Sequence, residues 1–170
     1  MAYPWPARLT LALRGNGAAV ANQGKSGDTC SGITARYSDE IHGQGFTGTA
    51  IMIGTNDLAA SVSAATEYTC ITSLLTTASA DGPVLLMTVP PNNGTTGWTG
   101  AMQTEWSTLN ASILGTSMAN VTVLDVVPFL QDPANHGALD PLVDYGDKRH
   151  LNDVGGGRMA ANISALGVVK

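Results

Sequence analysis

Short apolar runs alternate along the chain with longer stretches that are apolar on one side only, and this alternation predicts the elements. "TGTAIMIG", with Ile51, Met52 and Ile53, and "PVLLMTVP", bounded by prolines, are short and apolar on both faces. Each reads as a buried strand of a parallel sheet, the first as a central one. "VTVLDVV" is a further strand, and "AAVANQG" a short one ending in the loop "NQGKSGDT". Helices are predicted for "YPWPARLTLALRGNG", where prolines open the first turn and Gly15 and Gly17 stop the last, and for "CSGITARYSDEIHG". Three more follow: Leu58 to about Ala80, "AMQTEWSTLNASILGTSMA", and about Asp153 to Leu166. "PNNGTTGWTG" and the long "PFLQDPANHGALDPLVDYGDKRH" read as loops, the second of a length that is often functional in compact domains. Strands alternating with helices imply an α/β fold, a parallel sheet with helices on both faces, and no repeat or linker divides residues 1–170, which read as one domain. Opening on a helix is unusual for such a fold.

Composition narrows the class of partner. The chain is 44% hydrophobic and only 12% charged, so its surface is covered largely by Gly, Ser, Thr and Ala, a style that favours an extracellular protein. Net charge is −5 and the eight basic residues are scattered, so no basic stripe follows a phosphate backbone and nucleic acid is not expected as a partner. No apolar run approaches the roughly 18 residues of a membrane span. Cys30 and Cys70 are too few for a metal-ligand pattern and are either buried thiols or one disulfide.

The candidate chemistry lies at the carboxyl ends of predicted strands, where open parallel sheets bind ligands. In "GTNDLAA" the side-chain amide of Asn56 can donate to a developing oxyanion, as can a backbone N–H of a glycine loop such as Gly24. Asn56 equally suits a helix cap and Gly24 a turn needing positive φ. In "GDKRHLND", Asp147 and His150 stand three apart, close enough for the carboxylate to hold one ring nitrogen and leave the other to accept a proton. Taken alone, Asp-x-x-His also describes a solvated surface turn.

"NQGKSGDT", "GTND" and "DKRHLNDVG", in this order and at these separations, resemble consecutive blocks of the SGNH (GDSL-type) hydrolase family, from about Tyr3 to the carboxyl end. The resemblance implies a three-layer α/β/α, flavodoxin-like sheet and ester or acyl-ester substrates, on small molecules or acetylated sugars, with no metal or organic cofactor. It also implies Gly24 and Asn56 as oxyanion donors, Asp147 as the orienting acid and His150 as the general base. The family opens with a strand and a Gly-Asp-Ser block carrying the nucleophile, and no Gly-Asp-Ser occurs in these 170 residues. The expectation is therefore a sheet lacking the family's first strand, through truncation or natural loss. Either its two neighbours close up, or another segment or a second copy fills the slot.

Ser26, two residues after Gly24, is the nearest substitute nucleophile in sequence, although its position suits a loop role; Thr29 and Ser31 are weaker, and a water activated by His150 would lack the covalent step. Of the other conspicuous residues, His42 ends a predicted helix, His136 reads as loop surface, and Asp57 as a helix cap. Trp5 and Trp106 read as packing, and Trp98, in a loop after a strand, as the best aromatic for substrate contact. Two functions stand against each other: a serine-type ester hydrolase, and a catalytically silent binding module for carbohydrate or a protein partner, which accounts for the missing block directly. A dinucleotide site at Gly15 and Gly17 fails, because these glycines precede a strand and no third completes the fingerprint.

Overall fold

The computed structural model describes residues 5–13 and 19–167. Two compact units are distinguished, one drawn from residues 24–89 and 99–125, the other from residues 1–23, 90–98 and 126–170.

The first unit carries the sheet. β1 (Thr49–Ile51), β2 (Val84–Met87) and β3 (Val121–Leu124) are all parallel in the order β1-β2-β3, with Ala50 opposite Leu85 and Leu85 opposite Thr122. Every residue of β2 is buried, as its unbroken apolar run requires of a strand covered on both faces. β1 is an edge of the described sheet rather than a central strand, and Ala50 is exposed. The expected strand at "AAVANQG" does not form: residues 19–24 carry no strand and all but Val20 are exposed. Among the described residues no strand pairs with the free side of β1 or with this segment, and an extended segment without a partner leaves its backbone groups to water.

Helices of the same unit cover the sheet. α2 (Cys30–Glu40) is capped by Thr29, whose side chain accepts the Gly32 N–H. The stretch expected as one helix from Leu58 is two, α3 (Thr55–Ala59) and α4 (Ala64–Asp81). Ser61 sits between them at φ 64°, and Ser63 caps α4 by accepting the Thr66 N–H. α4 packs on β2, α2 and α5 (Gly100–Leu114), and α5 on β3. Buried Trp106 and Asn110 of α5 tie it to the end of β2: Trp106 Nε1–H and Asn110 Nδ2–H both donate to Val89 O at 3.0 Å, and Asn110 Oδ1 accepts the Val89 N–H. Trp106 is thus a packing residue. Cys30 and Cys70 form a disulfide that joins α2 to α4 across 40 residues of chain.

The second unit holds α1 (Trp5–Leu13), α6 (Val127–Leu130) and α7 (Asp153–Ala165), with α7 packed on both of the others. Arg8 of α1 pairs with Asp153 of α7 at 3.0 Å. The ends of the predicted first helix, including Pro4, Gly15 and Gly17, lie outside the described residues. The third residue of α7 is glycine for a steric reason: a Cβ on Gly155 would stand 3.0 Å from both Leu151 Cβ and Val143 O. No helix among the described residues is long and apolar enough to cross a membrane.

Candidate active site

In the second unit, residues 143–152 form a narrow loop closed by antiparallel bonds, Asn152 N–H to Val143 O at 2.8 Å and Tyr145 N–H to His150 O at 2.9 Å. Asp147 and His150 sit at its tip. Asp147 Oδ1 accepts the N–H groups of Arg149 (3.0 Å) and His150 (2.8 Å), while Oδ2 takes the His150 ring at Nδ1, 2.5 Å away. That contact places the ring proton on Nδ1 and leaves Nε2 as the acceptor. Burial alone would raise the Asp147 carboxyl, but the His150 ring and the two N–H groups outweigh it and hold the acid at about 2. Asp147 therefore stays ionised in near-neutral water. Because its folded value lies below the unfolded 3.8, its contribution to stability is present above that value and is lost as pH falls through about 2.

The tip is strained and held. Lys148, between the acid and the histidine, has φ 61°, a left-handed conformation that costs a non-glycine residue about 1–2 kcal/mol. Its N–H donates to Asp144 Oδ1, which also takes the Gly146 N–H, both at 2.9 Å. Its carbonyl accepts the Thr95 hydroxyl at 2.8 Å. Asn152 anchors the base of the loop, donating from Nδ2 to Leu142 O and Asp144 O at 3.0 Å and capping α7 through Oδ1. Asp144, Thr95 and Asn152 were not singled out from sequence. Of the three, Asn152 carried a readable signal, an Asn immediately before a helix.

In the first unit, Gly54 begins the "GTND" block at φ 118°, and a Cβ there would lie 2.9 Å from Leu109 Cδ2 and 3.0 Å from Val89 Cγ2. Backbone conformation and space both require glycine. Asn56 is inside α3 and is not its cap, which is Gly54. Asn56 Nδ2 donates to Asp28 O at 2.8 Å, joining "GTND" to the "NQGKSGDT" loop. An amide nitrogen carries two hydrogens, and the second meets no acceptor among the described residues. Asp57 is buried, and its carboxylate accepts the Cys30 N–H at 3.2 and 3.4 Å, so it serves the first turn of α2 rather than its own helix.

The loop of Gly24 and Ser26 is exposed and strapped to α2 by charge: Lys25 pairs with Glu40 at 2.6 Å, and Arg36 with both Asp28 and Glu40. Positive φ in this loop falls at Gly27 (78°) and not at Gly24. The Ser26 hydroxyl makes no bond among the described residues, and the only histidine of its unit, His42, pairs through Nδ1 with Asp81 at 2.8 Å. A cleft of about 330 Å³ in the same unit is lined by Tyr37, His42, Phe46, Thr49 and Asp81 and includes none of Gly24, Ser26 or Asn56. His136 is exposed and contacts Gln131 Nε2 at 3.1 Å; Trp98 is half-buried.

Comparison with known proteins decides the lineage. The model of the GDSL-like Lipase/Acylhydrolase family matches residues 2–157. The chain belongs to this family. Among solved structures, a GDSL-like lipase from Bacteroides thetaiotaomicron superposes with a TM-score of 0.80 at 23% identity, over 95% of this chain and 80% of that one. A G-D-S-L family protein from Desulfitobacterium hafniense gives 0.76 at 18% identity, over 96% and 87%. An acetyl xylan esterase from Geobacillus stearothermophilus gives 0.73 at 19%, over 96% and 80%. At these identities the likeness establishes the fold, the α/β arrangement of a parallel sheet flanked by helices that the sequence implied. No curated protein sequence matches the chain. As a member of the GDSL-like family the chain is of hydrolase kind.

Proposed function

We propose that this chain is a carboxylic-ester hydrolase acting on acyl or acetyl esters of small molecules or sugars. The observation that carries the reading is the Asp147–His150 pair, with Nδ1 held at 2.5 Å and the imidazole side chain 68% exposed. His150 Nε2 takes the proton of an attacking hydroxyl, and Asp147 fixes the tautomer and stabilises the imidazolium that forms. The second Nδ2 hydrogen of Asn56 and the backbone N–H of Gly24 donate to the tetrahedral oxyanion. An acetyl xylan esterase among the structural neighbours supports acetylated carbohydrate as the substrate class, and the Cys30–Cys70 disulfide supports an oxidising compartment outside the cytosol.

Ser26 is the serine hydroxyl offered by the same loop as Gly24; the other attacker is a water that His150 deprotonates directly, with no acyl-enzyme. The absence of Gly-Asp-Ser from the 170 residues favours one second reading, a silent binding module for carbohydrate or a protein partner. Treatment with a fluorophosphonate probe and peptide mapping separates these. A label on Ser26 that disappears in His150→Ala establishes a serine hydrolase. A folded chain that takes no label and cleaves no ester sinks the esterase reading and leaves the binding module standing.

A further inference from the structure

The buried face of α4 contains a charge-bearing residue that the proposed mechanism does not use. Glu67 is 1% exposed and shares that face with Ile71, Leu74 and Ala78. Its Oε1 meets no N–H or O–H donor among the described residues. The group it bonds is another acid, Asp57. Two carboxylates cannot hydrogen-bond without a proton between them, and Asp57 already accepts the Cys30 N–H while no donor among the described residues reaches Glu67 Oε1. The proton therefore belongs to Glu67.

We propose that Glu67 is a positioning residue for the oxyanion-donor block, acting as a neutral acid that donates to Asp57 and so locks α3, with Asn56, to the first turn of α2. The role rests on the reading of Asn56 given above. Two ties join α3 to the start of α2, Asp57 on the Cys30 N–H and Asn56 Nδ2 on Asp28 O, and the disulfide from Cys30 to Cys70, one turn beyond Glu67, joins α2 to α4. Gly54 N-caps α3 with Glu67 Oε1 only 3.7 Å from where its Cβ would be, so the acid also lies against the start of "GTND". If Glu67 ionises, two negative charges face each other in a buried site and the Asp57 bond is lost.

The charged groups on the elements packed against α4 are otherwise engaged. On α5, Glu105 accepts the Ala64 N–H at 2.6 Å. Before and within α2, Asp28 pairs with Arg36, which also holds Glu40, and Asp39 accepts the Ser38 hydroxyl at 3.2 Å. At the far end of α4, Asp81 takes the Tyr37 hydroxyl and the His42 ring. β2 carries no titratable residue. Asp57 is thus the charge that Glu67 faces. Burial first, and the Asp57 charge next, push the Glu67 acid up to about 8. A raised carboxyl gives stability that is present below its unfolded value of 4.5 and is lost as pH rises through about 8.

The test follows the Asn56 side-chain amide by NMR in the full chain, disulfide intact, for wild type, Glu67→Gln and Glu67→Ala. In the wild type the Asn56 amide pair is expected to titrate with a midpoint near 8. In Glu67→Gln, whose amide still donates to Asp57 but cannot ionise, the titration disappears. Ester hydrolysis measured alongside should lose kcat about tenfold between pH about 7 and about 9 in the wild type, with KM unchanged, and should not in Glu67→Gln. Glu67→Ala should be slow at every pH, and Gln should restore it. An Asn56 amide that ignores pH in the wild type, or titrates unchanged in Glu67→Gln, overturns the proposal. Should neither variant fold, difference infrared spectroscopy of the wild type decides. A carboxylic C=O band that persists to near pH 8 supports the neutral acid, and its absence at neutral pH overturns it. Asn56 titrating as expected without ester hydrolysis in any protein would support the positioning role and sink the esterase reading alone.

Discussion

The Asp147–His150 tip and the Asn56–Asp57 block are built by opposite means. The tip is exposed, and most of its bonds connect residues within four positions of one another: Asp144 to Gly146 and Lys148, Asp147 to Arg149 and His150. The block is largely buried and held across 27 to 28 residues of chain, by Asn56 on Asp28 and Asp57 on Cys30, with a disulfide joining the helices it serves. A general base must reach a substrate proton and return to water, so an exposed ring on a short, pre-bent loop suits it. An oxyanion donor works by not moving when charge develops, so rigidity supplied from distant segments suits it. A stability defect and a catalytic defect should therefore be separable in this chain.

The largest effect is expected in the Asn56–Asp57 block. Replacing Cys30 and Cys70 by serine opens a loop of 40 residues and should cost about 4 kcal/mol in denaturant unfolding, while the Asp147–His150 contact persists by NMR. Loss of both together would show that the tip is not locally built. A smaller stability effect, with a sharper catalytic one, is expected for Asn56→Ala. Removing the bond to Asp28 O should cost about 1 kcal/mol of stability, and removing the proposed oxyanion donor should lower kcat roughly 10²-fold to 10³-fold with KM little changed. A loss confined to KM would place Asn56 in ground-state binding instead.

How much was legible follows the same division. Asp147 and His150 could be paired from spacing alone because their contact is local. The three strands were legible because each is a short apolar run, and β2 is the clearest since both its faces are covered. The role of Asp57 was not legible: a carboxylate after Asn56 looks like a cap, and the N–H that it takes lies 27 residues earlier. The break between α3 and α4 had a signal, Ser63 before a good helix former, that the continuous helical pattern masked. Glu67 had one too, since it falls in step with Ile71, Leu74 and Ala78 on a face otherwise apolar. The strand expected at "AAVANQG" failed because a strand is a property of two segments, and composition describes only one.

If His150, held by Asp147, is the base of an ester hydrolase as proposed, its removal must slow the reaction without unfolding the chain. The most direct measurement is the initial rate of acetyl-ester cleavage, at near-neutral pH, by the purified chain and by His150→Ala, with thermal unfolding of both. Unfolding is expected to change little, since the side chain is 68% exposed and its loss removes one surface contact with Asp147, and the rate to fall by roughly 10²-fold to 10⁴-fold in the variant. Equal rates in two equally folded proteins would contradict it.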